Sequence, residues 1–375
     1  MKFVFYTHSL VSDWNHGNAH FLRGVMSELQ SRGHKALALE PKGSWSLENL
    51  LSDQGETALL KFHETFPLLR SIAYDESFDH EAVLAGADVV VVHEWTDPAL
   101  ISRLGSLRAA GASFQLLFHD THHRAVSSET DISSLQLAGY DGILAFGETL
   151  RQRYLDAGWG RQVFTWHEAA DERLFRPMPE VEATADLVWV GNWGDDERSA
   201  EIIDFLVEPA KDLGLDTTVR GVRYPSHAVA ALAEAGIAYQ GWIANAEVPA
   251  LFARHRVTVH IPRRPYVESL PGIPTIRVFE ALACGIPLVS APWEDSEGLF
   301  RPGTDFLVAR NGSEMKQRLR DVLNDKDLSN ELRRSGLETI RARHTCRHRV
   351  DELMHILLQL SGETSVLAKK KEAAE

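Results

Sequence analysis

Cysteine is scarce in this chain: only Cys284 and Cys346 among 375 residues. Two cysteines cannot build a disulfide framework, and these do not stand at metal-ligand spacing. Reduced thiols in a cytoplasmic protein are the expectation. Basic residues are also in deficit, 39 against 53 acidic ones, for a formal net charge of -14. Non-specific binders of nucleic acid or anionic membranes carry the opposite balance, so neither partner is expected. A local basic pocket for a small anion remains compatible with that total. No run approaches the roughly 18 apolar residues of a membrane span. The start, MKFVFYTHSLVSDWNHG, turns polar too soon after Phe5 for a signal peptide.

What is present is a steady alternation of short apolar runs and amphipathic segments. Lys2–Ser9, Lys35–Glu40, Ala87–Trp95, Phe114–Asp120, Gly142–Gly147 and Gln162–Ala169 read as strands. Between the first two, Leu22, Val25, Met26 and Leu29 recur at helical spacing, and Gly33 stops the helix. Continuous β-branched runs indicate strands covered on both faces, and alternation with helices indicates parallel βαβ units. The proline-containing, charged stretch Asp171–Asp186 breaks the rhythm and reads as a linker. Strand patterns then resume at Ala185–Trp193, Asp216–Val222, Ile237–Ile243, Val257–Pro262, Ile286–Pro292 and Asp305–Arg310, followed by helix from Ser313 to Leu360. The expected fold is α/β, with two doubly wound Rossmann-like domains facing a cleft and ligands at the carboxyl ends of the strands. The expected boundaries are 1–178, 179–345, a helix over 346–361 and a flexible tail over 362–375.

The densest candidate site is PGIPTIRVFEALACGIPLVS, Pro271–Ser290. A helix starting near Pro274 or Thr275 presents free amides and a positive dipole end to an anion such as a phosphate. The amides of Thr275 and Ile276 would serve there, and Arg277, one turn in, would add a bidentate contact. Glu280 lies on roughly the same face, where its carboxylate suits the hydroxyls of a ribose. A plain Arg277–Glu280 surface pair is the competing reading. In SDWNHGNAH, Gly17 and Asn18 allow close approach to a ligand, or else Asn18 simply caps the helix. FHDTHHRA holds His119, Asp120 and His122, but consecutive residues at a strand end do not converge on one ion, so no metal is expected. His93 and Glu94 end another strand.

FEALACGIPLV after a Pro/Gly loop resembles the donor-site signature of the GT-B group 1 glycosyltransferases, closest to the CgeB-like subset with an arginine before Phe-Glu. WNHGNAHFLRGVMSELQSRGHKALALEP, FTWHEAADERLFRP, VWVGNWGDDERS and GWIANAEVPALFARHRVTVHIP resemble further parts of that family in the same order. The resemblance implies a glycosyltransferase that uses a nucleotide-diphosphate sugar, retains anomeric configuration and needs no metal or other cofactor. It places Glu280 on the ribose, Trp242 and Ile243 near the base, and Arg277 and Arg198 on the diphosphate; a plain helix-surface role is the alternative for Arg198. It makes His119 a histidine near the donor sugar, with Asp120 beside it as the catalytic candidates. A hydrogen-bonded structural histidine is the alternative for His119. His122, His93 and Glu94 are assigned to the acceptor side, where a glycan, lipid-linked or small-molecule acceptor would enter. Many relatives carry a second, sugar-contacting glutamate eight residues before the ribose one; here that position is Gly272. Alternatives are a sugar-nucleotide epimerase or metal-assisted hydrolase on the same fold, or a non-catalytic sugar-nucleotide binding protein.

Overall fold

A computed structural model describes residues 1–194 and 196–372, those after 362 as backbone only. The first sheet has seven strands: β1 (Lys2–Tyr6), β2 (Lys35–Pro41), β3 (Ser71–Tyr74), β4 (Val89–His93), β5 (Gln115–Asp120), β6 (Gly142–Ala145) and β7 (Val163–Thr165). The second has six: β8 (Ala185–Val190), β9 (Thr217–Arg220), β10 (Ala238–Tyr239), β11 (His255–His260), β12 (Leu288–Ser290) and β13 (Leu307–Val308). Every neighbouring pair is parallel, as the buried β-branched runs require. The orders are β3-β2-β1-β4-β5-β6-β7 and β10-β9-β8-β11-β12-β13. Strand order therefore reverses between β1 and β4 and between β8 and β11, and a crevice opens beyond the carboxyl ends at each reversal. The two crevices face one another across the cleft.

The edge strand β3 is the element that the sequence pattern did not reveal. Its residues SIAY are half to fully exposed, so they carry no buried run. Several other strands are shorter than their apolar patterns. The run Gln162–Ala169 forms a strand only over Val163–Thr165, and the remainder is a loop directed at the cleft.

Each sheet is covered on both faces. One core cluster joins Phe3, Phe5, Phe21 and Val25 to Val350, Leu353 and Leu357 of the last helix. That helix packs back on the first domain: Trp166 donates to the Arg349 carbonyl at 2.8 Å and Gln115 to that of Leu357 at 3.0 Å. It runs from Cys346 to Glu372, beyond the end expected at residue 361. Alanine, lysine and glutamate there are strong helix formers. Residues 373–375 of the expected tail lie outside the described residues. No helix among the described residues is long and apolar enough to cross a membrane.

Candidate active site

A cavity of about 750 Å³ lies between the two crevices. Its carboxy-terminal wall is built on the helix Ile276–Cys284, which Gly285 closes in the left-handed conformation at φ 66°. Thr275 is extended and stands at the cap position, and Thr275, Ile276 and Arg277 line the cavity. The first amides of a helix have no partner within it, so they and the positive dipole end are offered to the cavity.

Arg198 lies beside them. It donates to the carbonyls of Ile261 at 3.0 Å and Asn192 at 2.7 Å, and its guanidinium covers Trp189 at 5.2 Å. Its Nε has no partner, and among the described residues no carboxylate pairs with it. Burial, then repulsion from Arg263 and Arg277, pulls its pKa down to about 9. A half-buried cation held by carbonyls among other cations is a site for an anion. The surface reading of Arg198 is thereby excluded. Trp242 and Ile243 line the same wall, and the buried indole nitrogen of Trp242 has no partner among the described residues.

Glu280 is placed differently from its expected role. It is fully buried and does not line the cavity. One oxygen accepts from His20 Nδ1 at 2.9 Å and the other from Arg277. The backbone amide of Asp171 donates to His20 Nε2 at 2.9 Å, which fixes the proton of the neutral imidazole on Nδ1. Burial pushes the Glu280 carboxyl up, but Arg277 and His20 outweigh it and hold the pKa below the usual range. Glu280 thus orients Arg277 and ties the two domains together, and its carboxylate lies behind the cavity wall rather than on it. The Arg277–Glu280 contact joins a fully buried carboxylate to a half-buried guanidinium, and is not the surface pair considered from spacing. Gly272 sits at φ 90°, and a Cβ there would meet Ser296 Oγ at 2.3 Å, so that position has no room for an acidic side chain. Glu268, four residues earlier, is exposed.

The amino-terminal wall is made of imidazoles. His8, His16, His93 and His122 line the cavity. The rings of His8 and His16 lie 4.0 Å apart and those of His8 and His93 5.6 Å apart. His93 Nε2 is 3.0 Å from Thr121 Oγ1. Burial pulls His8 down to about 4; burial and neighbouring cationic groups pull His16, His93 and His122 well below the ordinary value. All four are neutral at physiological pH. His93 and His122 line the cavity, whereas His8, at the end of a run read as strand, and His16, in the loop SDWNHGNAH, went unremarked. Gly17 and Asn18 also line the cavity. A Cβ on Gly17 would meet Ile276 Cγ2 at 3.0 Å, so glycine permits the loop's close approach to the helix start. Asn18 does not cap its helix; its amide donates to Thr121 Oγ1 at 2.6 Å.

His119, Asp120 and Glu94 do not reach the cavity. β5 extends through Asp120, so its alternating side chains leave along the two sheet faces. His119 turns toward Phe21 and Trp166, and burial lowers its pKa to about 3. It borders only a separate void of about 20 Å³. Asp120 faces the other side, accepting from Tyr154 Oη at 2.7 Å. Glu94 is buried against Arg124 at 3.3 Å. The sequence set the site one or two residues too early: the residues at the strand tip are Thr121 and His122. The opposed directions of His119 and Asp120 also separate the trio invoked for a metal-assisted hydrolase. Among the described residues no group of three or more histidine, cysteine, aspartate or glutamate side chains is arranged to hold an ion.

One further wall residue was missed. Glu168, in the loop after β7, is 3 % exposed and lines the cavity, and its Oε1 has no partner among the described residues. Burial, then Glu280, raises its pKa to about 8 against the opposing pull of Arg277.

Residues 198–355 match the model of a family described as glycosyl transferase-like. No curated protein matches the chain. Among solved structures, sucrose-phosphate synthase from Thermosynechococcus elongatus is 15% identical, with 97% of this chain and 100% of that one covered at a TM-score of 0.66. Anabaena HepE, solved with UDP and glucose, is also 15% identical, with 96% and 100% covered at 0.67. An α-glucosyltransferase in complex with UDP is 12% identical, with 95% and 99% covered at 0.68. The chain therefore has the GT-B fold, and residues 198–355, which include Arg198, Arg263 and Arg277, are glycosyl transferase-like in sequence.

Proposed function

We propose that this protein is a glycosyltransferase that moves a sugar from a nucleotide-diphosphate sugar to an acceptor hydroxyl, retaining configuration and without a metal. The observation that carries this reading is Arg198, a half-buried cation that pairs with no carboxylate among the described residues, on the cavity wall with the start of the helix Ile276–Cys284. A diphosphate seated there would meet Arg198, Arg277 and the amides of Thr275 and Ile276. Negative charge grows on the leaving diphosphate as the glycosidic bond breaks, and fixed cations and amides stabilise it without reorganising. That is the service a divalent ion gives elsewhere, which supports metal independence. Trp242 and Ile243 would flank the base. The neutral histidine wall suits an uncharged, hydroxylated acceptor, and the net charge of -14 disfavours a nucleic acid. UDP and UDP-glucose are the first donors to test, because HepE has been solved with UDP-glucose and the α-glucosyltransferase with UDP. Arg277 three residues before Glu280 supports a place near the CgeB-like subset.

Calorimetry with UDP and a panel of UDP- and GDP-sugars tests the reading. Binding of at least one, competed by its nucleoside diphosphate, is expected; no binding across the panel would overturn it. Proton NMR of the first transfer product reads the anomeric configuration, and turnover in EDTA tests the metal.

A further inference from the structure

We infer that Glu168 is the carboxyl that grips a hydroxyl of the transferred sugar. The inference rests on the proposed function and names a contact within its site. Glu168 comes from the amino-terminal domain yet sits close enough to Glu280 and Arg277, on the carboxy-terminal helix, to interact electrostatically with both. It therefore stands where the arginine wall meets the imidazole wall, the place a sugar reaches when its diphosphate lies at the helix start.

Its surroundings are those of a ligand contact. A buried carboxyl without a protein partner loses its hydration and gains nothing in return. Oε1 of Glu168 is in that position, in the wall of a large cavity. The backbone around it is firmly held. The Glu168 carbonyl accepts from Arg349 Nε at 3.2 Å, and Ala170, two residues on, exchanges hydrogen bonds with His344 and Cys346 at 3.0 and 2.9 Å. A rigid backbone carrying an unsatisfied acid is a preorganised contact. Polyols suit it, because a carboxylic acid donates through its O–H and accepts through its C=O to neighbouring hydroxyls. Once ionised, the same group would repel the diphosphate.

The test compares the wild type, Glu168→Ala and Glu168→Gln, with UDP and with the best-bound sugar nucleotide of the panel, by calorimetry at pH 7 and pH 9. At pH 7, Glu168→Ala is expected to leave UDP affinity within about twofold and to weaken the sugar nucleotide about tenfold, the loss of one hydrogen-bonded contact. Glu168→Gln imitates the protonated acid. It should keep most of the affinity at pH 7 and lose less of it than the wild type between pH 7 and pH 9, the remaining loss belonging to Arg198, whose pKa lies at about 9. Neither variant should melt below the wild type, since no described protein group bonds the Oε1 that they alter. An unchanged ratio of sugar-nucleotide to UDP affinity in Glu168→Ala overturns the inference while leaving the donor site standing. So does a Glu168→Gln pH profile identical to wild type, which serves alone if the alanine variant does not fold. A wild type that binds neither UDP nor any sugar nucleotide overturns the parent reading instead.

Discussion

The two walls of the cleft solve opposite problems with similar materials. The carboxy-terminal wall gathers Arg198, Arg263 and Arg277 around a helix start. Its positive charge persists even though burial and mutual repulsion pull Arg198 down to about 9. The amino-terminal wall gathers at least as many nitrogen bases, but burial and mutual proximity discharge them. A guanidinium starts so high that desolvation leaves it charged, whereas an imidazole starting near 6.5 becomes neutral under the same stress. One cavity therefore has a fixed cationic side for a charged donor and an uncharged polar side for a neutral acceptor.

Removing the tether between the walls should have the largest effect. Glu280→Ala leaves Arg277 and His20 without their shared buried carboxylate. It should cost about 3 kcal/mol of stability in denaturant unfolding, as expected for stranding one side of a buried pair. A loss below about 1 kcal/mol would mean that Glu280 is not the tether. Next, Arg277→Ala should weaken UDP binding by about 2 kcal/mol, roughly 30-fold, while His122→Ala leaves it unchanged. Equal losses in the two variants would erase the distinction between the walls. The third test is acid. His8 in the fold titrates at about 4, and His119, His260 and His344 at about 3, while unfolded imidazoles titrate near 6.5. Between those values the unfolded chain binds more protons, so stability falls as pH drops below 6.5. Each such histidine removes about 1.4 kcal/mol per pH unit, and His8→Asn should reduce the slope measured by chemical unfolding between pH 6 and 4.5. A flat profile would contradict a neutral wall. The smallest effect belongs to Gly272→Ala, about 1 kcal/mol of destabilisation from the positive φ and the crowding by Ser296. A neutral result would reopen that position to a side chain.

The alternation of apolar runs and amphipathic helices disclosed both sheets, because parallel strands buried on both faces leave an unmistakable pattern. The helix start at Thr275, Ile276 and Arg277 was legible for a similar reason: loop, helix and closing glycine adjoin in sequence. Glu280 was misjudged because its partner His20 is 260 residues away, and no spacing announces such a contact. His119 and Asp120 were misplaced because β5 runs to its last acidic residue, and alternation then sends the two side chains to opposite faces. Glu168 was hidden inside a run read as strand to Ala169, although β7 stops at Thr165. Local chemistry was thus readable where the site is contiguous and unreadable where packing between domains decides it.

The returning helix has a consequence for how the molecule is made. Val350, Leu353, Ile356, Leu357 and Leu360 complete the core built on Phe3 and Phe5. A ribosome releases the first sheet well before the helix that covers it. The amino-terminal half must wait, partly uncovered, while the second domain is synthesised. Separating the chain at the linker would therefore not release an intact amino-terminal half, because the apolar surface built on Phe3 and Phe5 would lose its cover.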